Sequence, residues 1–199
     1  MKTEYLNIEK QNSIEKAANL LLLGEVVAIP TDTVYGLGVC YNSTEGVEKL
    51  YTAKKRDPSK GIAICLDSYQ SIKKIVTKIP DLFWLLAKRF FPGPLTIVFS
   101  SEKGSIGIRV PEHDLCRELI KKTGPLYLTS ANYSNYKDLI NPLEVYETFQ
   151  GTIAGVLADN NKIKYNKCST VIKIENSNRI TLLREGPILW ETIQSFLRQ

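Results

Sequence analysis

Two short polar segments contain the side chains best suited to holding a phosphate-bearing ligand. The first is the basic run at residues 54–60, which places four cations within seven residues. Arginine offers a planar fork of donors and lysine a compact charge, and both suit phosphate oxygens. A solvated surface loop would have the same composition, because exposed Lys and Arg are common. The basic run by itself leaves both interpretations open.

The second segment, residues 129–132 (TSAN), offers hydroxyl and amide groups on short side chains. Such side chains can bind a ligand without blocking its close approach. Ser and Asn after a strand also form helix caps and Asx-turns, so a structural interpretation competes with the functional one. A third segment, residues 30–38 (PTDTVYGLG), is either part of the same site or a tight connection between strands.

Several common mechanisms are excluded or disfavoured by what the sequence lacks. There is no GxxxxGK[ST] phosphate loop and no GxGxxG motif. His113 is the only histidine, which disfavours a Ser-His-Asp or Cys-His mechanism, and its place near a predicted helix start indicates a cap or surface residue. The four cysteines have wide, irregular spacings without a CxxC pair, which predicts free, mostly buried thiols: Cys40, Cys65, Cys116 and Cys168.

Apolar periodicity and turn residues predict alternating strands and helices that would position these segments. Helices are predicted at residues 13–23, capped by Ser13, and at 44–53, 67–76, 80–90, 113–122, 141–149, capped by Asn141, and 188–197. Strands are predicted at residues 25–30, 61–66, 95–99, 105–110, 126–128, 155–157, 170–174 and 180–184. The alternation indicates an open α/β sheet, and the neighbouring strand pairs at about residues 95–110 and 170–184 indicate antiparallel members, so that a mixed sheet is predicted. Polar segments at strand ends would then converge on a ligand-binding crevice.

Length and composition predict one globular domain spanning residues 1–199, with 43% hydrophobic and 24% charged residues. The net charge of +5 fits an anionic substrate or an RNA partner without distinguishing them. Apolar stretches are too short to cross a bilayer, so no membrane association is expected. The first residues have no apolar core of a secretory signal, and a cytoplasmic location is expected.

Taken together, seven motifs in a fixed order resemble those of the YrdC-like family. They extend over about residues 13–187 and comprise PTDTVYGLG (30–38), KKR followed by KG (54–61), FPGPLTIV (91–98), IRVP (108–111), TSAN (129–132), STV (169–171) and LLREG (182–186). Each motif is short, but their joint occurrence is specific. The resemblance implies an α/β, YrdC-like fold: an open, twisted, mixed β-sheet flanked by helices, with a concave ligand-binding surface.

The same resemblance implies an ATP-dependent reaction of L-threonine with bicarbonate that yields L-threonylcarbamoyladenylate and pyrophosphate. The product would be the donor for N6-threonylcarbamoyladenosine next to the anticodon of tRNA. A separate tRNA-modifying transferase complex would receive it. Mg²⁺ is expected to accompany ATP and to bind mainly through phosphate oxygens.

By similarity, the KxR and SxN motifs supply a catalytic set around the nucleotide phosphates, made of Lys54, Arg56, Ser130 and Asn132. Two further residues are expected to face the ATP, Ser105 and Arg184. Four positions match residues that hold threonine: Thr33, Lys60, Arg109 and Ser169. Of these, Arg109 is expected to contact the threonine carboxylate through a charged contact.

An RNA-binding protein without synthase activity is the alternative, since family members can present a basic surface to tRNA or double-stranded RNA. The retained KxR and SxN residues favour catalysis.

Two departures from the family pattern bear on the site. Ser134 is followed by Asn135 where a Gly is common, although Asn tolerates the left-handed backbone. The second departure is near Ser169. The family often has an acidic residue just after STV, where this chain has Lys173 in the same neighbourhood, and the Gly that usually precedes STV is missing.

Overall fold

The computed structural model describes residues 2–133, 136–161, 163–176 and 179–198. Within these ranges the strands are β1 (Glu4–Asn7), β2 (Val27–Ile29), β3 (Gly36–Cys40), β4 (Ala63–Cys65), β5 (Leu95–Ser101), β6 (Gly104–Arg109), β7 (Leu126–Ser130), β8 (Gly155–Ala158), β9 (Thr170–Asn176) and β10 (Arg179–Arg184). The α-helices are α1 (Ser13–Leu22), α2 (Thr44–Lys54), α3 (Asp81–Phe90), α4 (Asp114–Thr123), α5 (Pro142–Phe149) and α6 (Trp190–Leu197), and Tyr69–Lys74 form a 3-10 helix.

All these strands belong to one sheet, in the order β1-β8-β2-β3-β7-β4-β6-β5-β9-β10. β8 runs parallel to β1 and β2, β4 is parallel to β6, and β5 is parallel to β9. The pairs β5–β6 and β9–β10 are antiparallel, as the closely spaced strands predict. The predicted open, mixed sheet flanked by helices is therefore confirmed.

The sequence pattern predicts neither β1 nor β3. β3 begins inside the PTDTVYGLG segment, whose glycines resemble those of a turn, and continues to Cys40. A Cβ on Gly36 would lie 2.8 Å from Cγ of Leu128, and a Cβ on Gly38 would lie 2.8 Å from Cδ1 of Ile29. These glycines therefore reflect close packing of side chains against a strand, and not a change of chain direction.

Six of the seven predicted helices are confirmed, with ends that differ by at most two residues. The prediction for residues 67–76 is wrong in type, because that region forms the 3-10 helix, which buries only Ile72. One buried side chain does not supply the apolar stripe that stabilises an α-helix. Ser13 is also not a cap: Asn12 occupies the cap position, and the Ser13 hydroxyl donates to the carbonyl of Asn7 at 2.6 Å.

Helices cover both faces of the sheet from β1 to β7. α1 and α4 pack on one face through an apolar cluster that includes Leu21 and Leu119. α2 and α5 pack on the opposite face through a second cluster that includes Leu50 and Phe149. Helices consequently leave little of this half of the sheet open to a ligand, apart from parts of β3 and β7 such as Gly36 and Leu128.

The other half of the sheet, from β4 to β10, has an apolar layer on one face only. In β5, Leu95, Ile97 and Phe99 point into the cluster formed with α3 and α6. Thr96 and Val98 alternate to the opposite face, where they line a cavity. We call this second surface the open face. Period-two alternation therefore separates the core residues of β5 from its cavity residues.

Within the described ranges, no helix is both long and apolar enough to cross a membrane. The longest of them, α2, has 11 residues, whereas a spanning helix needs about 20 apolar residues.

Truncation of Phe83 should test the cluster under α3. Phe83 is fully buried, and its ring centroid lies 5.5 Å from that of Phe99. Phe83→Ala should lower the free energy of unfolding by about 3–5 kcal/mol, because it leaves a void in a packed cluster. The matched control is Leu85→Ala on the same helix, because the Leu85 side chain is 50% exposed. This control change should lower the free energy of unfolding by less than about 1 kcal/mol. Urea denaturation measures both values, and equal losses would contradict the placement of Phe83.

Candidate active site on the open face of the sheet

A cavity of about 580 Å³ lies over the open face. Its volume falls within the range of roughly 300–1,000 Å³ that small-molecule sites occupy. Strands β4, β5, β6 and β9 contribute to its floor, and the loop after β2 and the end of β7 contribute to its walls. Seven of the residues predicted from the sequence line it: Thr33, Arg56, Ser105, Arg109, Ser130, Ser169 and Arg184. The fold thus brings together side chains that are far apart along the chain.

Lys54, the last residue of α2, connects that helix to the end of β7. Its Nζ donates to Oδ1 of Asn132 at 2.6 Å and to the Asn132 carbonyl at 2.9 Å. It also donates to the carbonyl of Ser130 and lies 3.3 Å from the Ser130 Oγ. Lys54 is only 2% exposed and does not line the cavity, whereas Ser130 does. Lys54 therefore acts on the cavity by holding Ser130 and Asn132 in place.

Burial, and next the charge of Arg56, lower the pKa of Lys54 to about 8. Lys54 consequently keeps its proton at neutral pH, and the oxygens around Nζ accept hydrogen bonds from the ammonium group. Because the pKa is lower in the folded chain than in the unfolded one, the buried charge opposes folding fully below pH about 8. That opposition declines as the pH rises from about 8 towards the unfolded value of 10.5.

Lys55 differs from Lys54 although it follows it directly. It ends α2 in the left-handed conformation, with φ at 49°, and its side chain is exposed. Its Nζ lies 5.0 Å from the centre of the Tyr133 ring. Lys55 and Tyr133 line a different groove, which Glu25 and Lys49 also border. The residues of the basic run therefore lie in different places: Arg56 lines the cavity, whereas Lys55 does not.

Arg56 and Arg184 reach the cavity while bonded to neutral oxygens. Nη2 of Arg56 donates to the carbonyl of Gly61 at 2.9 Å. Arg184 donates to the carbonyl of Ser169 through Nε at 3.1 Å and Nη2 at 2.9 Å. Neither arginine forms an ion pair with a carboxylate in the part of the chain that the structure describes. Both guanidinium groups are therefore held in position by neutral acceptors.

Arg109, at the end of β6, is paired with a carboxylate. Its Nη2 donates to Oδ1 of Asp32 at 2.5 Å, and the Asp32 side chain is completely buried. The contact involves one oxygen: Oδ2 of Asp32 and Nε of Arg109 have no hydrogen-bond partner among the described residues. Arg109 lines the cavity and Asp32 does not. The carboxylate therefore lies behind the guanidinium, away from the space a ligand would fill.

The side chain of Thr33 is held beside that of Thr31. The Thr31 hydroxyl lies 2.6 Å from the carbonyl of Val34, and since a carbonyl has no proton, Thr31 is the donor there. The Thr31 Oγ1 also accepts from the backbone N–H groups of Thr33 at 3.1 Å and of Val34 at 3.3 Å, and it lies 3.0 Å from the hydroxyl of Thr33. Thr33 consequently offers a hydroxyl in a fixed position to the cavity.

Ser169 is held from two sides. Its Oγ lies 2.8 Å from Oγ1 of Thr96 and 3.3 Å from Nη2 of Arg184. The Ser169 loop is thus ordered by hydrogen bonds despite the missing Gly, and Lys173 pairs with Glu175 at 2.8 Å. The other departure from the family pattern, at Ser134 and Asn135, lies outside the described residues.

Lys60 does not join this group. Its side chain is exposed and lies outside the lining of the cavity, while its carbonyl accepts a hydrogen bond from the Tyr51 hydroxyl at 3.0 Å. The predicted contact of Lys60 with threonine has no geometric support and stays a prediction. Asn132 also lies outside the lining, but it contacts the cavity residue Ser130, with 2.8 Å between its Oδ1 and the Ser130 Oγ.

Sequence reasoning did not single out four residues that shape the site: Thr31, Asp32, Thr96 and Cys168. The first three lie inside motifs already quoted, and Cys168 directly precedes STV. Their places within or beside these motifs were the only feature of the sequence that could have identified them as site residues. Cys168 lines the cavity, and its thiol donates to Oδ2 of Asp138 at 2.9 Å. Burial, and next this hydrogen bond, raise the pKa of Cys168 to about 11, so the thiol is protonated at neutral pH.

The predicted roles of His113 and the cysteines are confirmed. Nδ1 of His113 accepts a hydrogen bond from the backbone N–H of Cys116 at 3.4 Å, and this caps α4. All four thiols are free, with Cys65 and Cys116 buried and Cys40 and Cys168 partly buried. None of the thiols is paired with a histidine among these contacts, which agrees with a site that works without a Cys-His couple.

The fold and the cavity define an α/β protein with a mixed sheet, on whose open face lies a cavity lined by three arginines, Arg56, Arg109 and Arg184. The profile of the Sua5, YciO and YrdC family, described as telomere recombination, matches residues 19–186. The chain belongs to this family.

Relatives and solved structures agree with this placement. A candidate threonylcarbamoyl-AMP synthase of Methanocaldococcus jannaschii is 34% identical over 190 residues, with 90% of this chain and 88% of that protein covered. The threonylcarbamoyl-AMP synthase of Bacillus subtilis is 32% identical, with 92% of this chain and 56% of that protein covered. The crystal structure of Pyrococcus abyssi Sua5 complexed with L-threonine has a TM-score of 0.90 and 28% identity, covering 98% of this chain and 61% of that one. The chain thus spans little more than half of the last two proteins.

Replacing Lys54 should change how stability depends on pH. Because folding lowers the pKa of Lys54, wild type should gain stability relative to Lys54→Met as the pH rises from neutral to about 10. We expect a relative gain of about 1–3 kcal/mol in the free energy of unfolding. Urea denaturation at both pH values measures it, with Lys55→Met as the control on a neighbouring exposed lysine. A pH-independent difference between wild type and Lys54→Met would contradict the buried charge.

Proposed function

We propose that this chain is a threonylcarbamoyl-AMP synthase, which converts ATP, L-threonine and bicarbonate into L-threonylcarbamoyladenylate and pyrophosphate. The observation that carries the proposal is one cavity in which Arg56 and Arg184 are free for phosphates while Arg109 and Thr33 lie on the same surface. The names of the relatives and the L-threonine complex of the Pyrococcus abyssi protein support the same reaction. The activity of the whole protein is part of the proposal, since two of these relatives are much longer.

The chemistry requires positioning and charge neutralisation more than proton transfer by a side chain. The threonine amine combines with bicarbonate to form a carbamate and water. A carbamate oxygen then attacks the α-phosphorus of ATP, the bond to the bridging oxygen breaks, and pyrophosphate leaves. Holding the carbamate in line with the leaving group removes much of the entropic barrier. Fixed cations stabilise the negative charge that develops on the pyrophosphate.

In this proposal the nucleotide end of the cavity contains the KxR and SxN residues. Arg56 and Ser130 line the cavity and contact the phosphates, and Arg184 and Ser105 contact the rest of the nucleotide. Lys54 and Asn132 lie behind the cavity lining and position Ser130, because both are hydrogen-bonded to it. The predicted catalytic set is thus divided into residues that touch ATP and residues that position them.

The threonine end of the cavity contains Arg109, Thr33 and Ser169 in the same proposal. Arg109 binds the carboxylate through its remaining N–H groups. The hydroxyl oxygen of Thr33, held beside Thr31, accepts a hydrogen bond from the ammonium or hydroxyl group of threonine. Ser169, held by Thr96, completes the subsite. Lys60 would need to move into the cavity to take part.

Mg²⁺ fits this site as a companion of ATP. The described residues contain no cluster of three or more His, Cys, Asp or Glu side chains able to hold a metal. Hydroxyls such as those of Ser105 and Ser130 line the cavity, and Mg²⁺ accepts oxygen ligands while keeping several waters. The ion would therefore bind through phosphate oxygens, beside these hydroxyls, and would supply neutralisation of the triphosphate charge.

The synthase proposal is better supported than RNA binding without catalysis. Lys54 is 2% exposed, so it cannot reach the phosphates of an RNA lying on the surface. A purely electrostatic RNA surface would not need its buried contacts with Ser130 and Asn132. We propose that the product passes to a tRNA-modifying transferase complex for N6-threonylcarbamoyladenosine formation. The net charge of +5 is compatible with weak contact with tRNA during this transfer.

A cytoplasmic site of action completes the proposal. The four free thiols support it, because disulfides are rare where the compartment is reducing. The tRNA substrate of the later transfer step would be present in the same compartment.

Pyrophosphate release tests the proposed function. Purified protein with Mg·ATP should release pyrophosphate only when both L-threonine and bicarbonate are supplied, because the carbamate is the nucleophile. A coupled phosphate assay measures the release, and mass spectrometry identifies L-threonylcarbamoyladenylate. D-threonine is the matched control, since it presents the same groups with the opposite handedness and should give little product. Release that is unchanged without threonine would contradict the proposal.

A further inference from the structure

The three arginines of the cavity differ in what balances their charge. Arg56 and Arg184 donate to carbonyl oxygens, which carry no formal charge. Arg109 donates to the carboxylate of Asp32 at 2.5 Å. Since Asp32 lies behind Arg109 and away from the lining, it balances the charge without touching a ligand. Arg56 and Arg184 therefore bring positive charge without an ion-pair partner among the described residues, whereas Arg109 belongs to an ion pair whose net charge is close to zero.

Burial strengthens the interaction between Arg109 and Asp32, and so enlarges the difference between Arg109 and the other two arginines. The side chains of Arg109 and Asp32 are 10% and 0% exposed, so water screens their interaction little. His113, the single histidine of the chain, does not act as a second cation beside Asp32. Its Nε2 lies 3.5 Å from Oδ2 of Asp159, and burial lowers the pKa of His113. The buried carboxylate of Asp32 therefore has Arg109 as its ion-pair partner in the described ranges.

A cation and its paired carboxylate attract ligands differently from a lone cation. A phosphate group with two or more negative charges gains strongly from a lone guanidinium, but it gains little from a pair whose net charge is zero. The pair can still donate hydrogen bonds to a carboxylate, and it does not repel an ammonium group. It therefore suits a zwitterion of zero net charge, such as a free amino acid.

We propose that Asp32 determines specificity at this site by reserving the Arg109 end for an amino acid and keeping phosphate groups out of it. Phosphates of ATP and of pyrophosphate are then directed to Arg56 and Arg184. Without this division, the abundant polyanion would compete with threonine for the third arginine. The inference rests on the proposed function, because it assigns the two ends of that same site.

Competition between inorganic phosphate and L-threonine tests the proposal in the variant Asp32→Asn. Asn keeps the size of the side chain and an oxygen that accepts from Arg109, so only the charge is removed. Calorimetry measures the apparent Kd of threonine with phosphate and with chloride at equal ionic strength. In Asp32→Asn, phosphate should raise this Kd by about ten-fold or more, because Arg109 is now a lone cation.

Wild type and the control Glu15→Gln should show a rise of less than about two-fold. Glu15 is an exposed residue of α1 outside the cavity, and its replacement changes the net charge by the same amount. Equal competition in wild type and in Asp32→Asn would overturn the proposal.

A second variant does not depend on the folding of Asp32→Asn. In Arg56→Gln/Arg184→Gln, where Asp32 is intact, phosphate should no longer bind, while threonine should still bind at Arg109, more weakly than in wild type because Ser169 loses its contacts with Arg184. Phosphate binding at wild-type affinity would mean that Arg109 accepts phosphate despite Asp32, which would overturn the proposal.

Failure of the proposed function gives a different result. If wild type bound no threonine, the synthase proposal would fail, and the number of phosphates bound would test Asp32 by itself. Asp32→Asn should then bind one more phosphate than wild type, and an equal number would overturn the role of Asp32.

Discussion

One half of the sheet has apolar side chains on both faces, and the other half has them on one face only. This constraint determines where a ligand can bind. The alternation in β5, with Ile97 and Phe99 towards α3 and Thr96 and Val98 towards the cavity, allows the same strand to belong to a core and to a site. The aromatic packing of Phe83 beneath the strand keeps that floor rigid. A rigid floor is what a reaction dependent on positioning requires.

Charge is distributed on this floor in layers. The cavity layer contains Arg56, Arg184 and Arg109, and behind it lie the buried groups Lys54 and Asp32. Lys54 fixes neutral side chains of the TSAN segment, and Asp32 balances a cation. Lys54 is hydrogen-bonded and Asp32 is ion-paired through Oδ1, and such partners are the condition under which a protein interior tolerates a charge. The partners of the cavity residues, and not the cavity residues alone, therefore differentiate its two ends.

Much of this arrangement follows from the sequence, for identifiable reasons. Helix ends were predictable where a local cap defines them, as at Asn141, whose Oδ1 accepts from the N–H of Leu143 at 2.8 Å. β3 was not, because the reason for Gly36 is the distant side chain of Leu128. The motifs identified which segments meet, but not that Lys54 turns away from the cavity. Contacts between residues distant in sequence decide such orientations, and local patterns do not encode them.

In the proposed site ATP and L-threonine share the open face, with phosphates near Arg56 and Arg184 and the amino-acid carboxylate at Arg109. A crystal structure of the protein with L-threonine and a non-hydrolysable ATP analogue measures this most directly. We expect both ligands in the cavity, with the threonine carboxylate bonded to Arg109 and Asp32 still paired behind it. Phosphates bonded to Arg109, or ligands lying in the groove beside Lys55 and Tyr133, would contradict it.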